Sequence, residues 1–302
     1  MKTGLIFDIK RFAINDGPGI RLTVFFKGCN LSCKWCHNPE SMSPKIQKMY
    51  TATKCIGAQS CINNCPNNAL QLTSEGIITD FNSCNLCGIC ADVCPTNAFE
   101  ILGEEYTFKT LLTKIEKEEA FFKQSGGGVT FSGGEPLLHA NFLIEILKLC
   151  GKKGYHRVVD TTAFSNLKTI LEVGKNCDLF LIDLKVMDEN LHRKYTGVSN
   201  KKILSNIKNL SAQGIPIIFR MPLIKNVNTT PNNIAQTAKF INKLEGDNKE
   251  INLLPYHKIA QQKFTKLGVK NTFIEFETPN ESEINKIIKT FESYNIKATV
   301  GS

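Results

Sequence analysis

Apolar positions along the chain follow two rhythms. Short runs rich in β-branched and aromatic residues read as strands: RLTVFFKG at 21–28, then 129–132, 157–161, 178–184, 216–222, 250–255 and 297–300. Between them apolar residues recur every three or four positions, the spacing of a helix with one buried face. The clearest stretch, TFKTLLTKIEKEEAFFKQS from 107, puts Leu111, Leu112, Ile115 and Phe122 on one side and stops at the glycines 126–128. Further helices are predicted at 139–153, 166–175, 200–213, 231–244 and 281–294. Strands and helices in alternation predict α/β architecture with a parallel sheet. Six such units and a tail suit a partial (β/α)6 barrel, whose chemistry belongs at the C-terminal strand ends.

One stretch breaks the rhythm. Residues 50–100 are rich in Cys, Asn and Pro and read as an inserted module, dividing the chain into 1–49, 50–100 and 101–302. Composition adds little beyond class: 302 residues, 42% hydrophobic and 22% charged, fit a soluble globular protein. No apolar run approaches the roughly 18 residues of a membrane helix, and the opening MKTGLIFDIKRF, charged within its apolar stretch, does not read as a secretory signal. A cytoplasmic location is expected. The net charge of +9 comes from scattered basic residues without an aromatic stripe, so neither nucleic acid nor membrane is expected as a partner.

The twelve cysteines change the picture. In a reducing compartment they read as metal ligands rather than disulfides. Ten fall in three groups. Cys84, Cys87, Cys90 and Cys94, followed by Pro95, have the C-x2-C-x2-C-x3-C-P spacing of a bacterial ferredoxin, whose fourth cysteine ligates the other cluster of a pair. Cys55, Cys61, Cys65 and Pro66 repeat that run 29 residues earlier, with Ala58 where Cys87 has its counterpart. If ligands cross over, one cluster takes Cys84, Cys87, Cys90 and Cys65. The other takes Cys55, Cys61 and Cys94 and lacks a fourth thiolate, so it is either a three-iron cluster or a four-iron cluster with water or an oxygen or nitrogen ligand. Cys150 and Cys177, in apolar contexts, read as buried structural thiols. Cys29, Cys33 and Cys36 differ in kind: three thiolates on a cubane leave one iron open for chemistry, the plainer alternative being a zinc or redox site.

Strand ends carry further polar motifs. Ser132-Gly133-Gly134-Glu135-Pro136 suits close approach of backbone to a ligand, or an ordinary turn. Asp160-Thr161-Thr162 suits a ligand site or an N-cap. Asp183 and Lys185 flank Leu184 on one side of their strand, as ligand contacts or as an internal ion pair. Arg220 and His257 end two later strands, and a lone histidine there is more often structural.

Taken in order, these residues resemble the glycyl radical enzyme activating enzymes of the radical S-adenosylmethionine superfamily. The matching segments are DGPGIR (16–21), FFKGCNLSCKWCHNPES (25–41), FSGGEPLL (131–138), IDLKVMD (182–188), RMPLI (220–224) and LLPYH (253–257). C-x3-C-x2-C with Trp35 before its last cysteine is similar to the superfamily signature. The module resembles the branch that activates decarboxylases, dehydratases and C–S or C–N lyases.

The resemblance implies that Cys29, Cys33 and Cys36 hold a catalytic four-iron four-sulfur (4Fe-4S) cluster whose open iron binds S-adenosylmethionine. It implies Trp35 and His37 on the nucleoside side and Gly133, Gly134 and Glu135 at the amino group. Asp183, Leu184 and Lys185 would meet the carboxylate and ribose region, and His257 would lie near the adenosyl group. Asp160, Thr161 and Asp183 resemble a monovalent-cation site. The implied partners are a glycyl radical enzyme and, as electron donor, flavodoxin or ferredoxin. Two departures stand out: Lys-Asn-Val-Asn at 225–228, and Thr161-Thr162-Ala163 where the family has a glycine-ended turn. The competing readings are a peptide-modifying maturase or an anaerobic ribonucleotide reductase activase, and, outside enzymes, a ferredoxin-like electron carrier.

Overall fold

Residues 3–246, 249–257, 260–268 and 276–301 are described by the computed structural model. The strands are β1 (Thr3–Ala13), β2 (Arg21–Phe26), β3 (Gln47–Tyr50), β4 (Leu70–Thr73), β5 (Gly76–Thr79), β6 (Phe99–Leu102), β7 (Glu104–Thr107), β8 (Gly128–Gly133), β9 (His156–Thr161), β10 (Leu179–Asp183), β11 (Ile217–Leu223), β12 (Glu250–Pro255) and β13 (Lys297–Val300). Nine of them form one sheet in the order β13-β12-β11-β10-β9-β8-β2-β1-β7. From β2 through β13 every pairing is parallel; β1 and β7 close one edge antiparallel. This is the partial barrel that the alternation predicts. Among the described residues no helix is long and apolar enough to cross a membrane.

The period of two along each strand divides the sheet into two chemistries. Val129, Phe131, Val159, Phe180, Ile182, Phe219 and Met221 face the covering helices and are essentially water-free. The alternate residues face inward and turn polar toward the strand ends: Thr130 and Ser132, Asp160, Asp183, Arg220. Cys150 and Cys177 lie in the helix-covered core, where burial pushes each thiol up to about 12.

Several elements differ from the sequence reading, three of them in or against the barrel. β1 was not anticipated: its charged residues Asp8, Lys10 and Arg11 mask a strand that borders β2. The helix predicted from 107 is two helices, Phe108–Glu116 and Glu119–Ser125; Glu118 between them turns inward and takes the Arg11 guanidinium at 2.6 Å. A polar helix, Glu189–Thr196, is also new. Asp188 caps it by accepting from Leu191 N at 2.8 Å, and Gly197 ends it at φ 84°.

The cysteine-rich segment is closed by an antiparallel ribbon, β3 with β6, pairing Gln47 with Leu102 and Tyr50 with Phe99. Inside it the 29-residue repeat is a backbone repeat. Left-handed residues recur in pairs: Gly57 and Leu86, Gln59 and Gly88, Asn68 and Asn97. One-turn helices Ser60–Asn63 and Ile89–Asp92 follow the middle pair. Ala69 N donates to Cys65 Sγ at 3.3 Å, as Ala98 N does to Cys94 Sγ at 3.2 Å.

Candidate active site

The loop after β2 carries Cys29, Cys33 and Cys36, and backbone bonds on three sides fix it. Gly28 N and Cys29 N donate to Ser41 O (2.7 Å) and Met42 O (3.2 Å). Ser32 N and Lys34 N donate to Thr196 O (2.8 Å) and Tyr195 O (2.9 Å) at the end of the Glu189–Thr196 helix. Glu135 N donates to Gly28 O at 2.8 Å, joining the glycine motif after β8 to the cysteine loop. The fit there is tight: a Cβ on Gly134 would stand 2.2 Å from Gly28 O.

The three thiols stand close enough to repel one another as thiolates. Burial pushes Cys29 and Cys36 up to about 12 and raises Cys33 as well, while the Lys185 ammonium pulls all three back. Thiolates so desolvated need compensating positive charge, which is what a bound iron–sulfur cluster supplies. Among the described residues no three donor side chains close around a single metal ion. The donor set, three free thiols on one short loop, fits a cluster.

Lys185 pairs with Asp183, Nζ to Oδ2 at 2.8 Å. Burial lowers its proton affinity, and Asp183 and the neighbouring thiols overcome that, leaving it firmly charged. Deeper on the inner face, Arg220 Nη1 lies 3.1 Å from Asp160 Oδ2 and 3.6 Å from Asp16 Oδ1. Ser132 Oγ donates to Asp160 at 2.7 Å. Burial raises the Asp160 carboxyl while Arg220 opposes the rise.

Glu135 is fully buried, and its side chain faces the end of β9. Its oxygens accept from Thr161 Oγ1 (2.6 Å), Thr162 N (2.9 Å), Leu137 N (3.1 Å) and the Thr162 hydroxyl. Ala163 then adopts φ 58°, the left-handed conformation a glycine takes without strain, held by Asn206 Nδ2 donating to its carbonyl at 2.9 Å. Trp35 is buried beside Tyr195 and Phe276, with Tyr256 and Ile224 in the same cluster. His37 lies exposed between Tyr256 and His257, with ring centroids 5.4 and 6.5 Å away. Partial desolvation by the neighbouring rings and the charges of His257 and Lys263 lower its proton affinity. Lys263 bonds His37 O and Asn38 Oδ1 at 3.1 and 3.0 Å.

Sequence reasoning missed the groups that hold Lys185 in place. Asn228 Nδ2 donates to Lys185 O at 2.9 Å, Asn200 Nδ2 to Met187 O at 2.7 Å, and Asn233 Oδ1 accepts from Met187 N at 2.8 Å. Asn228 closes the 225–228 segment, whose departure lies at Lys225 and Asn226, and it is fully buried. It also missed the role of DGPGIR: Arg21, buried, donates to Thr130 Oγ1 (2.6 Å), Pro18 O (2.7 Å), Val129 O (2.8 Å) and His156 O (3.0 Å), and desolvation lowers it to about 10.

In the module the thiols gather into two nests. Cys65, Cys84, Cys87 and Cys90 line one small pocket with Lys48 and Ile101. Cys55, Cys61 and Cys94 line another, together with Ala58, Gln59 and Ser60. Crossover between the repeats yields the same two groupings.

Comparison with known proteins gives two family matches. Residues 81–241 match the radical SAM superfamily, and residues 54–98 match a 4Fe-4S dicluster domain. The chain is 40% identical to the trans-4-hydroxy-L-proline dehydratase activating enzyme of Clostridioides difficile, over 98% of this chain and 99% of that one. It is 37% identical to the (2S)-3-sulfopropanediol dehydratase activating enzyme of Klebsiella oxytoca, over 99% and 97%. A domain of a pyruvate-formate lyase-activating enzyme from Bacteroides vulgatus superposes with TM-score 0.51 at 43% identity, covering 58% of this chain and 99% of that one.

Proposed function

Because the chain belongs to the glycyl radical enzyme activating enzymes of the radical S-adenosylmethionine superfamily, we propose residue roles for that activity. The family's reaction is reductive cleavage of S-adenosylmethionine at an iron–sulfur cluster, giving a 5′-deoxyadenosyl radical that takes hydrogen from a glycine of the partner enzyme. In our reading Cys29, Cys33 and Cys36 hold that cluster. The observation carrying this is their convergence, half-buried, beside Lys185 at the C-terminal end of the parallel strands.

The remaining residues bind, orient and exclude water. Main chain of Gly133, Gly134 and Glu135 meets the amino group, while the Glu135 side chain fixes the end of β9. Lys185, with Asp183 and Leu184, takes the carboxylate and ribose region. Trp35 fixes the cysteine loop from its apolar cluster, and His37 and His257 border the adenosyl side. Asp16, Asp160 and Asp183 face two cations, Arg220 and Lys185. The excess negative charge suits a sulfonium ligand or a monovalent cation beside Asp160 and Thr161. The partner's glycine segment enters the cleft of about 410 Å³ on the inner face, lined by Gly17, Pro18, Leu181, Ile218, Arg220 and Asn252.

Residues 50–100 form an auxiliary two-cluster unit in this reading, between the barrel segments 1–49 and 101–302. Cys65, Cys84, Cys87 and Cys90 complete one cluster. Cys55, Cys61 and Cys94 hold the other, which keeps an open position at Ala58. Flavodoxin or ferredoxin docks here as donor. If Cys84→Ala leaves donor-driven reduction of the catalytic cluster unchanged, the relay is wrong.

The partner is a glycyl radical enzyme, and the named curated relatives point to the dehydratase branch. The deciding experiment is anaerobic reconstitution with reductant, S-adenosylmethionine and candidate partners, read by electron paramagnetic resonance. A glycine-centred doublet with 5′-deoxyadenosine is expected. A fully loaded chain whose Cys33→Ala variant still makes 5′-deoxyadenosine would refute the assigned triad.

A further inference from the structure

β3 turns two side chains toward the two thiol nests. Lys48 and Tyr50, two residues apart, lie on the same face of the strand. The Lys48 ammonium donates to Cys84 Sγ at 3.7 Å and lines the nest of Cys65, Cys84, Cys87 and Cys90. The Tyr50 hydroxyl instead meets the side chain of Cys55 and accepts from Ile77 N at 3.0 Å. One nest thus receives a full positive charge and the other a neutral hydroxyl.

Lys48 is only 5% exposed. Its further neighbours are the faces of Phe99 and Phe81, at 5.1 and 5.8 Å from the ring centroids. A buried ammonium is costly unless negative charge stands beside it, and the strand delivers this one to thiolate sulfur. Cluster potentials respond to net charge and to hydrogen bonds on the ligating sulfurs. Reduction adds a negative charge, so a fixed cation at that distance stabilises the reduced form more than the oxidised one.

We infer that Lys48 raises the reduction potential of the cluster held by Cys65, Cys84, Cys87 and Cys90, and leaves the cluster of Cys55, Cys61 and Cys94 untouched. The inference rests on the ligand sets proposed above. It makes the two halves of the repeat electronically unequal through one residue of the ribbon, independently of the cysteine missing at Ala58.

The test is a redox titration of the full, anaerobically reconstituted chain followed by electron paramagnetic resonance, comparing wild type with Lys48→Met and Lys48→Arg. Lys48→Met is expected to lower the midpoint of that one cluster at least tenfold in its one-electron equilibrium, about 59 mV. Lys48→Arg, which keeps the charge, should stay near wild type. Iron and sulfide content verifies loading, and Lys48→Gln serves as neutral variant if the Met form loads poorly. An unmoved midpoint in a loaded neutral variant, or equal shifts in both auxiliary clusters, overturns the inference alone. Should Cys84→Ser leave both auxiliary signals as they are, the ligand sets fail and the inference falls with them.

Discussion

Glu135→Gln isolates what the buried carboxylate contributes. Each carboxylate oxygen accepts one backbone N–H and one hydroxyl: Leu137 N and Thr161 Oγ1 on Oε1, Thr162 N and its own hydroxyl on Oε2. The amide of Gln replaces one oxygen by NH2. A hydroxyl can turn and accept from it, but a backbone N–H cannot. Either orientation therefore leaves one buried N–H facing another donor, at a cost of about 1–3 kcal/mol. The bonds that survive also lose charge assistance, roughly 1 kcal/mol each. Burial raises the Glu135 carboxyl, and relief of that desolvation offsets part of the loss, leaving a net destabilisation of about 2–4 kcal/mol. Thermal unfolding of the anaerobically prepared chain should then drop by roughly 3–6 °C. A drop below about 2 °C would mean the carboxylate does not hold the β8 and β9 ends together, and the reasoning fails.

Three further outcomes follow from particular contacts. Ala58→Cys supplies the thiolate missing from the second nest; iron per chain should rise or the open-site spectrum should become that of a closed four-iron cluster, and no change would refute the grouping of Cys55, Cys61 and Cys94. Gly134→Ala drives a Cβ to 2.2 Å from Gly28 O, so the cysteine loop must move, and iron bound at Cys29, Cys33 and Cys36 should fall sharply while auxiliary iron persists. Burial lowers Lys27 to about 8, against the pull of Glu40, and its ammonium donates to Glu40 O at 2.6 Å and Gln47 Oε1 at 2.9 Å. The unfolded chain therefore binds the extra proton above that pH, and wild type should gain on Lys27→Met, on the order of 2 kcal/mol, as pH rises from about 8 to 10; unfolding at both pH values checks the sign.

Much of the site was legible in the sequence because its chemistry is local. Cys29, Cys33 and Cys36 share one loop, Asp183 and Lys185 one strand end, and the 29-residue repeat already pairs Cys55 with Cys84. Contacts made across the chain were not legible. The Glu189–Thr196 helix has almost no apolar face, yet its last carbonyls hold Ser32 and Lys34. Asn228 and Asn233 look like loop and helix polar residues until burial brings them to Lys185 and Met187. Lys48 reads as surface charge, and only the β3–β6 register turns it inward.

That same ribbon bears on how such a chain acquired its parts. β2 pairs directly with β8 although residues 27–127 intervene. Where the ribbon closes, entry and exit touch: a Cβ on Gly103 would come within 3.5 Å of the Ile46 Cα. The excursion leaves and rejoins the barrel at one point, so its length hardly enters the closure of the sheet; each doubling of a loop costs only about 0.6 kcal/mol. A lineage could gain or shed the segment between those residues by a single splice, with no barrel strand changing its neighbour.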